Sequence, residues 1–304
     1  MSKTLQFPQT VALQGAPTCS IGISPYGLYN RFNDAGRLIM LNQKAVQFGS
    51  VPYIRIGEEC TMLTQQEPGE IEYPDDIPMV KNYYPEPIAE ETISMSIATP
   101  SLEISYKLEK VKIVRRLISP LLSGNEQTLM PLGVEEFEIE NITDEAQVIT
   151  LVVPRPSLVN LQEKELKPTD QDSIFVGTAA VKGQQHEAWK TGDMRGVIMG
   201  STETADRMAL AVPDRPGITI DVQPYFCLNR YKEDLLLNAE GTFYEKREPV
   251  RRNDYGAAVC VMLTVEPKPV SGWMTKTASG PASWNASITP ISIPPMWTVI
   301  PWCC

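Results

Sequence analysis

Residues 119–153 read SPLLSGNEQTLMPLGVEEFEIENITDEAQVITLVV. The first third is loop chemistry, with Pro120, Gly124, Asn125 and Pro131. From Val134 to Glu140 the pattern alternates: Phe137 and Ile139 fall on one side, Glu136, Glu138 and Glu140 on the other. Strict alternation marks a strand with one face in a core and one in water, because successive strand side chains point to opposite faces. Asn141, Thr143 and Asp144 then supply turn residues. Residues 148–153 form a short apolar run that suits a strand buried on both faces. The segment is expected to be a hairpin on which the rest of the chain packs.

Working outward, the same rhythm recurs. Residues 92–98 and 102–108 alternate, with Ile93, Met95 and Ile97, then Leu102, Ile104, Tyr106 and Leu108, facing inward. Parity slips at Glu109-Lys110, which predicts a bulge or tight turn. Lys107, Lys110, Lys112, Arg115 and Arg116 read as a basic patch on a solvated sheet face. Short strands are also expected at 37–41, 52–56, 174–181, 195–200, 207–212, 218–222 and 235–243. Residues 257–265 are apolar at both parities and read as a central strand. The best helical candidate is one short turn near residues 230–236. The chain has 304 residues with 26 Pro and 19 Gly spread along it, which suits many short strands joined by turns. The fold class is all-β: a large antiparallel β-sandwich, supersandwich-like, with long loops and an irregular C-terminal tail. Residues 1–18 read as an arm, 19–267 as the sandwich domain and 268–304 as an apolar tail holding Trp273, Trp284, Trp297 and Trp302.

Composition narrows the function classes. The net charge of −10 argues against nucleic acid as a partner, since phosphate binding needs a basic surface. No stretch approaches the roughly 20 apolar residues that span a bilayer, and residues 1–15 lack a signal-peptide core; a cytoplasmic location is expected. The six cysteines (19, 60, 227, 260, 303 and 304) show no metal-ligand spacing. Cys260 lies in an apolar run and reads as a buried thiol. No cofactor motif appears. The acidic, Pro-broken segment 58–87 reads as a surface loop and lacks the oxygen spacing of a calcium loop. The sequons at Asn141 and Asn285 read as chance matches.

Candidate ligand residues are few. Tyr29, Arg31 and Asn33 lie in a segment rich in groups that can face a ligand, although Asn33-Asp34-Ala35-Gly36 is also good turn chemistry. His186, the only histidine, sits in a polar context and reads as exposed. No Gly-x-Ser-x-Gly elbow supplies a nucleophile for it. Trp189 beside it is either a platform for the apolar face of a sugar or a core residue.

The run Ser119-Pro-Leu-Leu-Ser-Gly-Asn-Glu, then Leu132 to Glu140 and Asn141-Ile-Thr-Asp, resembles the N-terminal domain of the non-lysosomal glucosylceramidase (bile-acid β-glucosidase) family, glycoside hydrolase family 116. Arg195-Gly-Val-Ile-Met-Gly with Met208-Ala-Leu-Ala-Val is similar to that domain's later strand pair, and residues 22–37 and 54–56 to its opening segment. The likeness runs over residues 21–267 in pattern. It implies a sandwich that packs on an (α/α)₆ barrel, in cis or in trans, with a nucleophilic Glu and an acid/base Asp on that barrel. A retaining pair needs carboxyls about 5 Å apart, and no catalytic residue is assigned in this chain. The expectation is a non-catalytic sandwich domain of a glucosylceramidase-like β-glucosidase in carbohydrate metabolism, from a truncated or split gene, inactive alone. The alternative is a stand-alone carbohydrate-binding or assembly module. An independent enzyme with an unrecognised site ranks last. The expected partners are a glucoside or glycan and the barrel.

Overall fold

The computed structural model describes residues 51–64, 86–88, 93–98, 101–118, 134–157, 183–203, 207–227, 237–238, 240–243, 255–267 and 286–288, and the backbone of four strands between residues 11 and 40. Every regular element among them is a β-strand. In chain order these are β1 (Val11–Gln14), β2 (Cys19–Ile23), β3 (Tyr29–Asp34), β4 (Arg37–Met40), β5 (Tyr53–Ile56), β6 (Glu59–Met62), β7 (Glu86–Pro87), β8 (Ile93–Ala98) and β9 (Ser101–Lys107). They continue as β10 (Val111–Ile118), β11 (Val134–Asn141), β12 (Gln147–Pro156), β13 (Gln184–Thr191), β14 (Met194–Ser201), β15 (Arg207–Pro213), β16 (Ile218–Cys227), β17 (Tyr255–Val265) and β18 (Ala286–Ile288). Among the described residues these form four sheets, ordered β1-β2-β3-β4, β18-β11-β10-β9-β8, β16-β17-β12-β5-β6-β7 and β13-β14-β15. The strand pairings are antiparallel except for β6 with β7. The expected strand at 174–181 and the turn at 230–236 lie outside the described residues.

The alternation read in the sequence positions the core. On β10, Val111, Ile113 and Leu117 are buried, and on β11 Phe137 and Ile139. Leu102, Ile104 and Tyr106 of β9 continue the same face. The parity slip at 109–110 is a tight turn: the Leu108 N–H donates to the Val111 carbonyl at 2.9 Å, so Lys107 pairs with Lys112. β17 lies between β16 and β12 and is buried on both faces from Ala257 to Val261, as its uniform apolarity predicts. Its thiol, Cys260, is buried. Of the tail, Ala286–Ile288 docks as β18 on the edge of β11, with Glu135 opposite Ile288.

Three expectations are corrected. Residues 134–153 are not a hairpin. β11 and β12 belong to different sheets, and the chain between them is a corner that crosses from one sheet to the other. The alternating half of the segment sits in a half-exposed sheet, while the apolar half is a central strand of another sheet. Their different burial is thus a consequence of the crossing.

Asn141 holds that corner. Its Nδ2 donates to the carbonyls of Glu145 (2.7 Å) and Val265 (2.9 Å), and its Oδ1 accepts from the N–H (2.9 Å) and hydroxyl (2.8 Å) of Thr143. The residue is 1% exposed, so the Asn141 sequon offers no free amide in the folded chain. Asn141→Ala is expected to cost about 2–3 kcal/mol, because a buried group stripped of its partner costs about 1–3 kcal/mol; urea unfolding midpoints at constant slope measure it.

The basic patch is divided rather than uniformly solvated. Lys107 and Lys112 are exposed and Lys110 and Arg116 half-buried, as a solvated face requires, but Arg115 is 0% exposed and points into the core. It forms a buried ion pair with Glu135, which also binds Arg155 of β12. Residues 235–243, expected as a strand, differ as well. Their described part is a tight loop closed by an isolated Leu237–Phe243 bridge. The Asn238 Oδ1 accepts from the Thr242 N–H at 2.9 Å. The loop lies on the six-stranded sheet through Arg55 Nη1 to the Asn238 carbonyl (2.7 Å), the Cys260 thiol to the Gly241 carbonyl (2.8 Å) and the Phe243 N–H to Asp221 Oδ2 (2.9 Å). Gly241 has φ +71°, and a Cβ there would stand 2.6 Å from Thr150 Oγ1, so both conformation and space demand glycine.

Candidate functional site

The three-stranded meander β13-β14-β15 carries two of the residues singled out in the sequence, His186 and Trp189. β13 and β14 pair from Gln184–Ser201 to Thr191–Met194, joined by a turn with Gly192 at φ +50°. The turn end of the meander is fixed by Asp214, whose Oδ2 accepts from Lys190 Nζ (2.8 Å) and Arg195 Nη2 (3.1 Å). The Lys190 hydrogen bond, chiefly, holds that carboxyl below its ordinary range. Arg195 Nη1 also donates to the Ile220 carbonyl at 3.0 Å, tying β14 to β16.

His186 and Trp189 are three residues apart, so strand alternation sends them to opposite faces. Trp189 is half-buried on the outer face, between exposed Glu187 and Thr191. Its cross-strand partner is Gly196, and Gly196 pairs with Ala211. Gly196 has no space for a side chain: a Cβ there would stand 2.0 Å from the Leu210 carbonyl oxygen and 2.6 Å from the Ala211 Cα.

His186 faces inward and is only 6% exposed, which corrects the exposed reading. Its ring stacks on Tyr225 with centroids 4.8 Å apart and planes 4° from parallel. The His186 N–H donates to the Tyr225 hydroxyl at 2.9 Å, and Nδ1 lies 2.6 Å from the Pro224 carbonyl. β16 is an edge strand whose register shifts between Gln223 and Phe226. Proline, with no N–H for a ladder, belongs at such a position. The irregularity turns the Pro224 carbonyl toward the imidazole instead of toward a strand. Since a carbonyl only accepts, Nδ1 carries the proton of the neutral ring and Nε2 presents a lone pair. Burial lowers the imidazole's pKa from 6.5 to about 4, against the raising effect of the Pro224 hydrogen bond.

The carboxylates of β11 lie elsewhere. Glu136, Glu138 and Glu140 are half-buried on the outer face of the five-stranded sheet. Arg116 binds Glu138 at 2.7 Å and Glu103 at 3.0 Å. Among the described residues no group of three or more His, Cys, Asp or Glu is placed to hold a metal ion.

Tyr29, Arg31 and Asn33 all lie on β3; their side chains are outside the described residues. Asn33 and Asp34, read as turn residues, are within the strand, and Asp34 pairs with Arg37. β3 and β13 belong to different sheets, so Trp189 shares no sheet with the other three candidates. Sequence reading passed over Gln184, on the same face as His186, and Glu135 and Arg155. A signal for the last two existed: Glu135 shares the parity of Phe137 and Ile139, and Arg155 that of Leu151 and Val153.

No protein-family model matches the chain, and no curated protein sequence matches it. Among solved structures it is similar to the X-ray structure of the galactose mutarotase related enzyme from Lactobacillus acidophilus. The TM-score is 0.38 and the identity 11%, over 93% of this chain and 98% of that one. No described helix is long and apolar enough to cross a membrane.

Proposed function

We propose that the chain is a non-catalytic β-sandwich module of carbohydrate metabolism, of the kind that precedes the catalytic barrel in glucosylceramidase-like β-glucosidases. The reading rests on the likeness over residues 119–144 and 195–212. Two residues of that pattern, Phe137 and Asn141, are a core side chain and the corner clamp, so the likeness concerns architecture more than chemistry. The observation that carries the non-catalytic half is the engagement of two carboxylates of β11. Glu138 is held by Arg116 on an open sheet face, and Glu135 is locked between two buried guanidinium groups. A retaining glycosidase needs one free nucleophile and one proton-bearing acid across a cleft. Purified chain incubated with a fluorogenic β-glucoside is expected to give no turnover above the blank. Turnover that survives repurification and is lost on heat unfolding would overturn the reading.

A stand-alone glycan-binding module is the second reading, favoured by the part-exposed Trp189 on the outer face of β13. It predicts saturable binding of a β-glucoside by titration calorimetry, about tenfold weaker in Trp189→Ala, a loss of about 1.4 kcal/mol. The melting temperature should stay unchanged. Equal binding by wild type and variant would remove Trp189 from the reading.

A further inference from the structure

Two polar atoms on the inner face of β13 stand buried without a partner: Nε2 of His186 and Nε2 of Gln184. They are chemically complementary. The imidazole nitrogen accepts, because Nδ1 is committed as donor to the Pro224 carbonyl. The Gln184 amide nitrogen donates. Residues two apart on a strand have side chains on the same face, with origins roughly 6.5–7 Å apart. One oxygen at hydrogen-bond distance from both nitrogens, about 2.8–3.0 Å each, spans up to about 6 Å. Side chains that lean toward each other by about 1 Å from those origins bring both nitrogens within reach of one bridging oxygen that carries a proton. It would accept from Gln184 and donate to His186. A carbonyl or carboxylate oxygen satisfies Gln184 but offers His186 nothing, and an ammonium does the reverse.

We propose that Gln184 and His186 form a binding site for one hydroxyl group. The shared chemistry is O–H, whether from an internal water or from the hydroxyl of a polyol or sugar. The pair sits where β13 packs on β16, with the Tyr225 ring against one face of the imidazole. A water bridging two or more buried polar groups is an ordinary part of an interior. A ligand hydroxyl in the same position would make the same two hydrogen bonds. The site does not depend on the proposed function, and neither result decides the other.

His186 is the only histidine, so ¹⁵N-histidine labelling gives one imidazole and an unambiguous reading. The Nε2 resonance of the neutral ring moves upfield when its lone pair accepts a hydrogen bond. The spectrum is taken in buffer alone, then with glycerol, then with glucose, for wild type and Gln184→Met. An upfield Nε2 in buffer that glycerol and glucose leave unmoved supports the site with water as occupant. An upfield move only on adding glycerol or glucose supports it with a ligand hydroxyl as occupant. In either case Gln184→Met should return Nε2 toward the free position while Nδ1 keeps its proton, the sign that the Pro224 contact and the local fold persist. A wild-type Nε2 at the free position under all three conditions overturns the proposal. So does an upfield shift that Gln184→Met leaves unchanged, or a tautomer with the proton on Nε2.

Discussion

Glu135→Ala is expected to destabilise the protein by about 3–5 kcal/mol, the cost of breaking a buried ion pair from one side. Glu135 is the anion between two buried guanidinium groups, Arg115 and Arg155, with side chains 0%, 5% and 2% exposed for Arg115, Glu135 and Arg155. Removing it takes the shared counter-charge away from two cations in the core. Arg155 keeps its bond to the Pro154 carbonyl, 2.6 Å from Nη1, but a neutral acceptor does not replace a carboxylate. The loss is a large share of the roughly 5–15 kcal/mol that holds an ordinary domain together. It falls on the joint between sheets, because Arg115 and Glu135 belong to the five-stranded sheet and Arg155 to the six-stranded one.

The apolar triple replacement Arg115→Met, Glu135→Leu, Arg155→Met should be far less damaging than the single change, since it removes the charges together with their desolvation cost. Urea unfolding of wild type, single and triple variants tests this. A Glu135→Ala loss under about 1 kcal/mol, well below the range for a broken buried pair, or a triple variant worse than the single, would contradict the account. If Glu135→Ala does not fold, Glu135→Gln keeps the shape and yields the same ordering.

Acid should weaken the fold through His186 by about 3 kcal/mol. The sign follows from the direction in which burial moves its pKa. The folded value is about 4 against 6.5 for the free side chain, so the unfolded chain takes up the proton first. The neutral, buried ring contributes its full stability above pH 6.5, and that contribution falls as pH drops through the window from 6.5 to about 4. Below the folded value it is gone. A difference of about 2.5 pH units at about 1.36 kcal/mol each gives about 3 kcal/mol. Asp214 acts in a different window. Its pKa is lowered from 3.8, so its contribution persists above that value and is lost only below it.

His186→Gln should flatten the dependence of unfolding free energy on pH between 6.5 and about 4 while costing stability at neutral pH. An unaltered slope in the variant would mean that the imidazole is not the group responsible. The expected structural consequence is loosening where β13 and β14 pack on β16, because the Tyr225 stack and the Pro224 contact both involve this ring.

Core and charge were unequally legible along the chain. Alternation placed Phe137 and Ile139 of β11 and Ile104 of β9 in the core, because a period of two is a local property of extended backbone. Uniform apolarity placed residues 257–265 at the centre of a sheet, since a strand covered on both faces has no side turned to water. The same parity rule also put Glu135, Arg115 and Arg155 inward. Reading charge as a mark of exposure concealed it, since a charged side chain is buried only when a partner of opposite sign is brought to it from elsewhere in the chain.

What the sequence determined by itself was the period, the turns and hence an all-β class of many short antiparallel strands. The tertiary structure alone decided which strands share a sheet. The turn chemistry of residues 141–145 fits a hairpin as well as a corner, and the Val265 carbonyl that Asn141 binds lies 124 residues away. Likewise, nothing local announces that the polar stretch around His186 will be closed over by Pro224 and Tyr225, 38 and 39 residues on. Burial of a polar residue is a property of the contacts made across the chain, and only the folded arrangement supplies those contacts.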